Sequence, residues 1–138
     1  MTRGRALGAL LAVVTAFGAA TFLALEGGEV VVLRTAGPPD GPRTTRTWVA
    51  DEDGAAWVEA ANPERAFLRQ VEKTGELEMV RDGLPRRCRA SVMPNPGGHA
   101  RIRRLLATKY GWADRWVAML ADTSRSVAVR LSCDRPIP

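Results

Sequence analysis

Six consecutive residues, Arg43-Thr44-Thr45-Arg46-Thr47-Trp48, put two guanidiniums, three hydroxyls and an indole on one short stretch. In an extended chain these side chains alternate between the two faces of a strand. A guanidinium fork grips phosphate or carboxylate, and an indole covers a planar ring, so the stretch suits a phosphorylated aromatic ligand. The alternative reading is a solvated edge strand. Just before it, Gly37-Pro38-Pro39-Asp40-Gly41-Pro42 cannot continue regular structure; it turns the chain and sets loop amides beside Arg43 and Arg46.

Other residue types offer less. His99, the sole histidine, follows Gly97-Gly98 at an expected helix start, where capping suits it better than catalysis. Ser91, Ser124, Ser126 and Ser132 stand in no nucleophile motif, so hydrolysis through a histidine-dependent triad is not expected. Cys88 and Cys133 lack the close second ligand of a zinc site, which excludes zinc. Both fall on expected strands, and two buried free thiols are favoured over a disulfide, with the compartment deciding. What remains is cofactor chemistry, in which the protein supplies a shaped pocket and charge. Trp48 and Trp57 sit on consecutive strands of one hairpin, where they pack near each other, flank a planar ring or fill the core. Arg65 and Arg69 give a second, helical face for a polyanionic tail, with solvation as the alternative.

The 138 residues suit one domain, and 46% hydrophobic with 25% charged residues exclude both a disordered chain and an all-membrane protein. The net charge of +5 is carried mostly by arginine. The arginines are scattered between elements with no nucleic-acid-binding motif, so no nucleic-acid partner is expected. Ala6 to Leu25 is uncharged and just long enough to cross a bilayer as a helix, with Arg3 and Arg5 before it. Gly18-Ala19-Ala20 offers a small-residue cleavage site, but the apolar run continues through Phe22, Leu23 and Leu25, which favours an uncleaved anchor over a signal peptide. The positive-inside rule puts the N-terminus in the cytoplasm and the domain across the membrane; a helix lying on the membrane surface is the alternative. Two regions follow, residues 1–28 as anchor or signal segment and residues 29–138 as the domain.

Strands are expected over Glu29 to Thr35, Thr44 to Asp51, Ala55 to Ala60, around Met79-Val80, over Leu84 to Met93 and over Ser126 to Cys133. Asp53-Gly54 and Asp82-Gly83 read as hairpin turns. Asn62 is expected to cap a helix that begins at Pro63 and stops at Gly75, burying Phe67, Leu68 and Val71. A second helix carries Ile102, Leu105, Leu106 and Tyr110 at helical spacing, with Arg101, Arg103 and Arg104 on its other side, and Trp112 to Leu120 continues as a third. Six mostly antiparallel strands are too few for two full sheets, so the expected architecture is a mainly β, six-stranded antiparallel barrel with helices packed at its openings.

Several stretches also carry a family resemblance. Val31-Val32-Leu33-Arg34-Thr35, then Pro42 to Val49, then Ala61-Asn62-Pro63-Glu64-Arg65, Lys109-Tyr110-Gly111-Trp112-Ala113-Asp114 and Ser126 to Leu131 occur in an order similar to the deazaflavin (F420)-dependent nitroreductase and quinone reductase family. Those proteins are split β-barrels, and the likeness runs from about Val30 to Cys133. It implies a bound deazaflavin, coenzyme F420, with FMN as second choice, and hydride transfer to a quinone-like or nitroaromatic acceptor. It implies that the cofactor is held by Arg43, Thr44, Thr45, Arg46, Thr47, Trp48, Asn62 and Arg65, with Tyr110 orienting or protonating the acceptor. Where many members carry a Gly-Arg-Lys-Ser-Gly type loop, this chain has Gly37-Pro38-Pro39-Asp40-Gly41. Related barrels commonly pair, which implies a homodimer. The non-catalytic alternative is a barrel that binds flavin, haem or lipid at the membrane.

Overall fold

Alternating β-branched and apolar residues drive the strands, because each buries one face and leaves the other to solvent or a helix. The computed structural model describes residues 3–38 and 40–134. The strands are β1 (Val30–Thr35), β2 (Arg43–Glu52), β3 (Ala55–Ala60), β4 (Glu76–Arg81), β5 (Leu84–Val92) and β6 (Val127–Cys133). The helices are α1 (Arg3–Glu26), α2 (Ala66–Thr74), α3 (Gly97–Tyr110) and α4 (Trp112–Leu120). All strand pairs are antiparallel, and the order β1-β2-β3-β6-β5-β4 closes on itself through β4 and β1. The expected mainly β, six-stranded antiparallel barrel with three helices behind an apolar N-terminal helix is therefore observed.

The two tight hairpins follow from their residue types. Asp53-Gly54 and Asp82-Gly83 both hold positive φ at each central position, as type I′ turns require. Inside the barrel Val31, Leu33, Val49, Val58, Met79, Val129 and Leu131 form one core, and Phe67, Leu68 and Val71 of α2 close it at one end. A second core lies outside the barrel wall. There the small residues Ala50 and Ala128, with Trp57, receive Ile102, Leu105, Leu106 and Tyr110 from α3. The helix α3 thus lies along the outer face of β2, β3 and β6 instead of filling an opening.

Two local expectations are corrected. The first helix after β3 starts at Ala66, not at Pro63. The Asn62 side chain accepts a hydrogen bond from the Glu64 amide at 3.1 Å, and the Asn62 carbonyl accepts one from the Arg65 amide, so this stretch forms a turn before the helix. Cys88 and Cys133 are joined in a disulfide, not left as free thiols. They face each other directly across β5 and β6, a register that a single strand's pattern does not reveal.

The buried glutamine of α2 fixes the loop between β1 and β2. Gln70 is fully buried, and its amide donates to the carbonyls of Gly37 and Gly41 at 2.8 and 2.6 Å while accepting from the Thr35 hydroxyl. The Gly41 amide closes the same loop onto the Gly37 carbonyl at 2.9 Å.

Candidate functional site

β2 is the element that makes a site possible, because its two halves have different neighbours. Arg43 to Trp48 pairs only with β1, whereas Val49 to Glu52 pairs with β3. The first half therefore has a strand on one side and a free backbone edge on the other. Residues opposite each other in an antiparallel pair share a face. Thr45 and Thr47, opposite Leu33 and Val31, are on the barrel-interior side, and Arg46 and Trp48 are on the outer side.

A cleft of about 370 Å³ lies along this edge. Thr45, Arg46, Thr47 and Trp48 form one wall, Phe67 and Leu106 contribute apolar surface, and Arg65 stands across from them before α2. Leu25 and Glu26 from the end of α1, Val117 of α4 and Ala121 to Thr123 just after it complete its rim. The cleft is thus apolar with a polar edge of two guanidiniums, the hydroxyls of Thr45, Thr47 and Thr123, and the carboxylates of Glu26, Glu59 and Asp122.

Trp48 is held in place by two contacts. Its indole stacks on the Tyr110 ring with centroids 4.3 Å apart and planes 9° apart, and its Nε1 donates to the Leu25 carbonyl at 3.2 Å. Tyr110 packs against Gly28 so closely that an added β-carbon there would meet its ring at 2.7 Å. The Tyr110 hydroxyl lies 2.6 Å from the Glu29 carbonyl and 2.8 Å from the Val49 carbonyl, and it accepts the Val49 amide at 3.1 Å. Burial pushes this phenol up to about 12. Its one proton is thus shared with backbone oxygens, and Tyr110 acts as a latch between the start of β1, the bend of β2 and the end of α3.

Beside that latch, Arg81 bonds both Glu29 and Asp51, and Lys109 reaches Glu29 as well as the Val49 carbonyl. The hydrogen bond from Arg81 holds Asp51 below the usual carboxylate range. At Glu29 burial works upward, but the bonds from Arg81 and Lys109 outweigh it and leave the carboxyl lowered.

The residues expected to hold a cofactor divide between two places. Thr45, Arg46, Thr47, Trp48 and Arg65 line the cleft, and Tyr110 supports it from beneath Trp48. Arg43 and Thr44 line a separate outer depression of about 520 Å³ with Arg34, Thr74, Glu78 and Arg87. Asn62 lines neither. Internal acids meet the guanidiniums: Asp40 lies 3.9 Å from Arg43 and 3.6 Å from Arg69, and Glu26 pairs with Arg46 at 2.5 Å. The loop offers few amides, since Pro38 and Pro42 have none and that of Gly41 is spent on Gly37.

Sequence reasoning missed Glu59 and the contribution of α1. Glu59 reaches the cleft while pairing with Arg103, which also pairs with the buried Asp114 at 2.6 Å. A lone acid within the apolar run Ala55-Ala56-Trp57-Val58-Glu59-Ala60 was the available signal. The second tryptophan, Trp57, is buried at 1% exposure beneath Arg101, so it fills the core instead of flanking a ligand. His99 Nδ1 lies 2.8 Å from the Ser126 hydroxyl, but Ser126 is fully buried and out of reach of a substrate. No group of metal-ligating side chains is present among the described residues.

The barrel order, the free half of β2 and the helices against its outer face give the architecture its name. The chain has the split β-barrel fold. Among solved structures it is similar to a FAD-binding protein from Mesorhizobium loti, with 14% identity, a TM-score of 0.59, and 85% of this chain and 88% of that one covered. It is similar to an F420 reductase at 14% identity and a TM-score of 0.54, over 84% of this chain and 94% of the other. The haem storage protein HutZ from Vibrio cholerae shares 12% identity and a TM-score of 0.57, over 78% and 82% of the two chains. No protein-family model matches the sequence, and no curated protein is significantly similar to it. At these identities the likeness concerns the fold.

Proposed function

We propose that this protein is a membrane-anchored oxidoreductase that binds a deazaflavin, coenzyme F420, or else a flavin such as FMN, along the free edge of β2. It reduces a quinone-like or nitroaromatic acceptor there. The observation that carries this reading is the cleft itself: about 370 Å³, apolar, walled by a strand edge with unpaired backbone groups and fixed by the Trp48–Tyr110 stack. The residues fit a flat heteroaromatic ring with polar edges. Phe67, Leu106 and Val117 would face its apolar surface, and the β2 backbone with Thr45 and Thr47 would meet its polar edge. Arg46 and Arg65 would hold an anionic tail. Arg43 and Thr44 would serve only a tail that extends around the strand end.

When bound, the cofactor supplies the hydride. The chain's part is to bind, orient and exclude water. Arg46 exchanges its pairing with Glu26 for an anionic ligand group, and Trp48 positions the ring against the cleft wall. Tyr110 keeps both in register through its backbone bonds. An F420 reductase and a FAD-binding protein share the fold, which supports a flavin-type cofactor.

The disulfide is consistent with an oxidising compartment. α1 is a 24-residue helix whose uncharged run from Ala6 to Leu25 makes it long and apolar enough to span a membrane, and Arg3 and Arg5 stand at its start. Both observations support an N-terminus in the cytoplasm and a barrel on the far side of the membrane.

The second reading is a non-catalytic module that binds flavin, haem or lipid. It is favoured by the internal pairing of Arg43 and Arg46 with the chain's own acids and by the occupied Tyr110 hydroxyl. Mixing the full-length protein with reduced F420 and a soluble quinone or nitroaromatic separates the two. Catalysed loss of the reduced-cofactor absorbance is expected. Binding of the cofactor without turnover on any acceptor favours the module instead.

A further inference from the structure

Outside α1, the exposed large hydrophobic side chains among the described residues are Leu84, Trp112, Met119 and Leu120, and three of these lie on α4. They recur at helical spacing on one side of that helix, flanking Trp116, whereas Asp114 on the opposite side is buried and Ala113 is buried at the flank. Arg115 lies among them, exposed and without an ion pair among the described residues. Tryptophan, apolar side chains and a free arginine on one exposed helix face make up the composition of a membrane-interface surface.

What lies against this face follows from α1. Trp116 packs on Phe17 with ring centroids 5.4 Å apart and donates through Nε1 to the Thr21 hydroxyl at 3.1 Å. Ala20, Thr21 and Ala24 are the sheltered positions of α1, and the rest of its surface is exposed. α1 therefore meets the domain from Phe17 onward. The apolar part left free, Ala6 to Ala16, is about 16 Å long at ~1.5 Å per residue. The hydrocarbon core is about 30 Å thick, so this part alone cannot cross it. For α1 to span, its last turns must lie in the bilayer, and α4 is fastened to those turns. If α1 instead lies along the surface, α4 is still brought to the lipid by the same contacts.

We infer that α4 is a second membrane contact: Trp112, Met119 and Leu120 enter the outer acyl region of a lipid bilayer beside α1, and Arg115 meets the lipid phosphates. The barrel is then seated on the bilayer, not held above it on a stalk. The rim of the cleft formed by Leu25, Glu26, Val117 and Ala121 to Thr123 lies at the headgroups, so an amphiphilic ligand can enter from the membrane. The seating does not depend on which cofactor binds.

The test uses the full chain reconstituted in vesicles of phosphatidylcholine and phosphatidylglycerol whose acyl chains are brominated near the headgroup. Subtracting the emission of Trp112→Phe from that of the wild type isolates Trp112. The expected result is that bromolipid quenches this difference signal, and that Met119→Asp combined with Leu120→Asp removes the quenching while the far-ultraviolet circular dichroism is unchanged. A difference signal that bromolipid leaves intact overturns the inference. Iodide then distinguishes the cause: quenching by iodide means that α4 faces water, and protection from iodide as well means that a second copy of the chain covers it. Should Trp112→Phe fold poorly, a red shift of total emission in Met119→Asp relative to wild type in the same vesicles supports lipid contact, and no shift contradicts it.

Discussion

Tyr110 illustrates how a residue chosen for its chemistry can have its functional group committed elsewhere. Its spacing on α3 marks it as a core position, and its phenol is the kind of group that orients an acceptor. In the fold that hydroxyl is buried among the Glu29 and Val49 backbone groups, whose position depends on how β1 and β2 meet. Tyr110→Phe leaves the Val49 amide without its partner. It should lower stability by about 1–3 kcal/mol in denaturant unfolding, the range for an unsatisfied buried donor. If Tyr110 only latches the strands, turnover by the folded variant stays near wild type. Gln70 makes the same point more strongly: it sits at a helical position among Phe67, Leu68 and Val71, and nothing local shows that it would bond a loop some thirty residues earlier.

At the scale of elements, most strands and helices were legible because their signals are local. The Asp-Gly turns, the β-branched runs and Gly75 and Gly111 at helix ends each fix a boundary through backbone chemistry. Partnerships between elements were not legible. The pairing of Cys88 with Cys133 depends on β5 lying beside β6 in one register, and the splitting of β2 between β1 and β3 depends on barrel closure. The disulfide closes a separation of 45 residues, and the chain-entropy relation assigns about 4 kcal/mol to such a loop. Cys88→Ser with Cys133→Ser should therefore lower the unfolding free energy by several kcal/mol, and thiol labelling of the wild type without reductant should find no free thiol.

The link between β1, β2 and β4 is also pH-dependent. Glu29 and Asp51 are lowered in the fold, so their bonds to Arg81 contribute fully above the ordinary carboxylate range and are lost as acid protonates them. Stability should fall as pH drops into and below the ordinary carboxylate range, and Arg81→Met should be less stable at neutral pH and show a shallower acid dependence. Equal slopes for the two proteins would remove this cluster from the account.

The molecule as a whole joins three things that the sequence presents separately. The apolar N-terminal helix reads as an independent anchor, yet its last turns pack on α4 and its end forms part of the cleft rim. The basic strand reads as one continuous site, yet Arg43 and Thr44 open on one depression and Thr45 to Trp48 on another. The acids that meet Arg43 and Arg46 come from the loop and from α1, and neither would be chosen as a ligand residue from the sequence. A cofactor that binds the cleft must displace Glu26 from Arg46, so affinity should depend on Arg46 far more than on Arg43.

Titrating the full-length protein with F420 and with FMN while following tryptophan emission tests this most directly, since Trp48 forms a wall of the cleft. Saturable quenching by at least one of them is predicted, with affinity weakened by about 1–3 kcal/mol in Arg46→Ala and little changed in Arg43→Ala. Absence of quenching by either cofactor, or equal affinity in wild type and Arg46→Ala, would contradict the assignment of the β2 edge as a cofactor site.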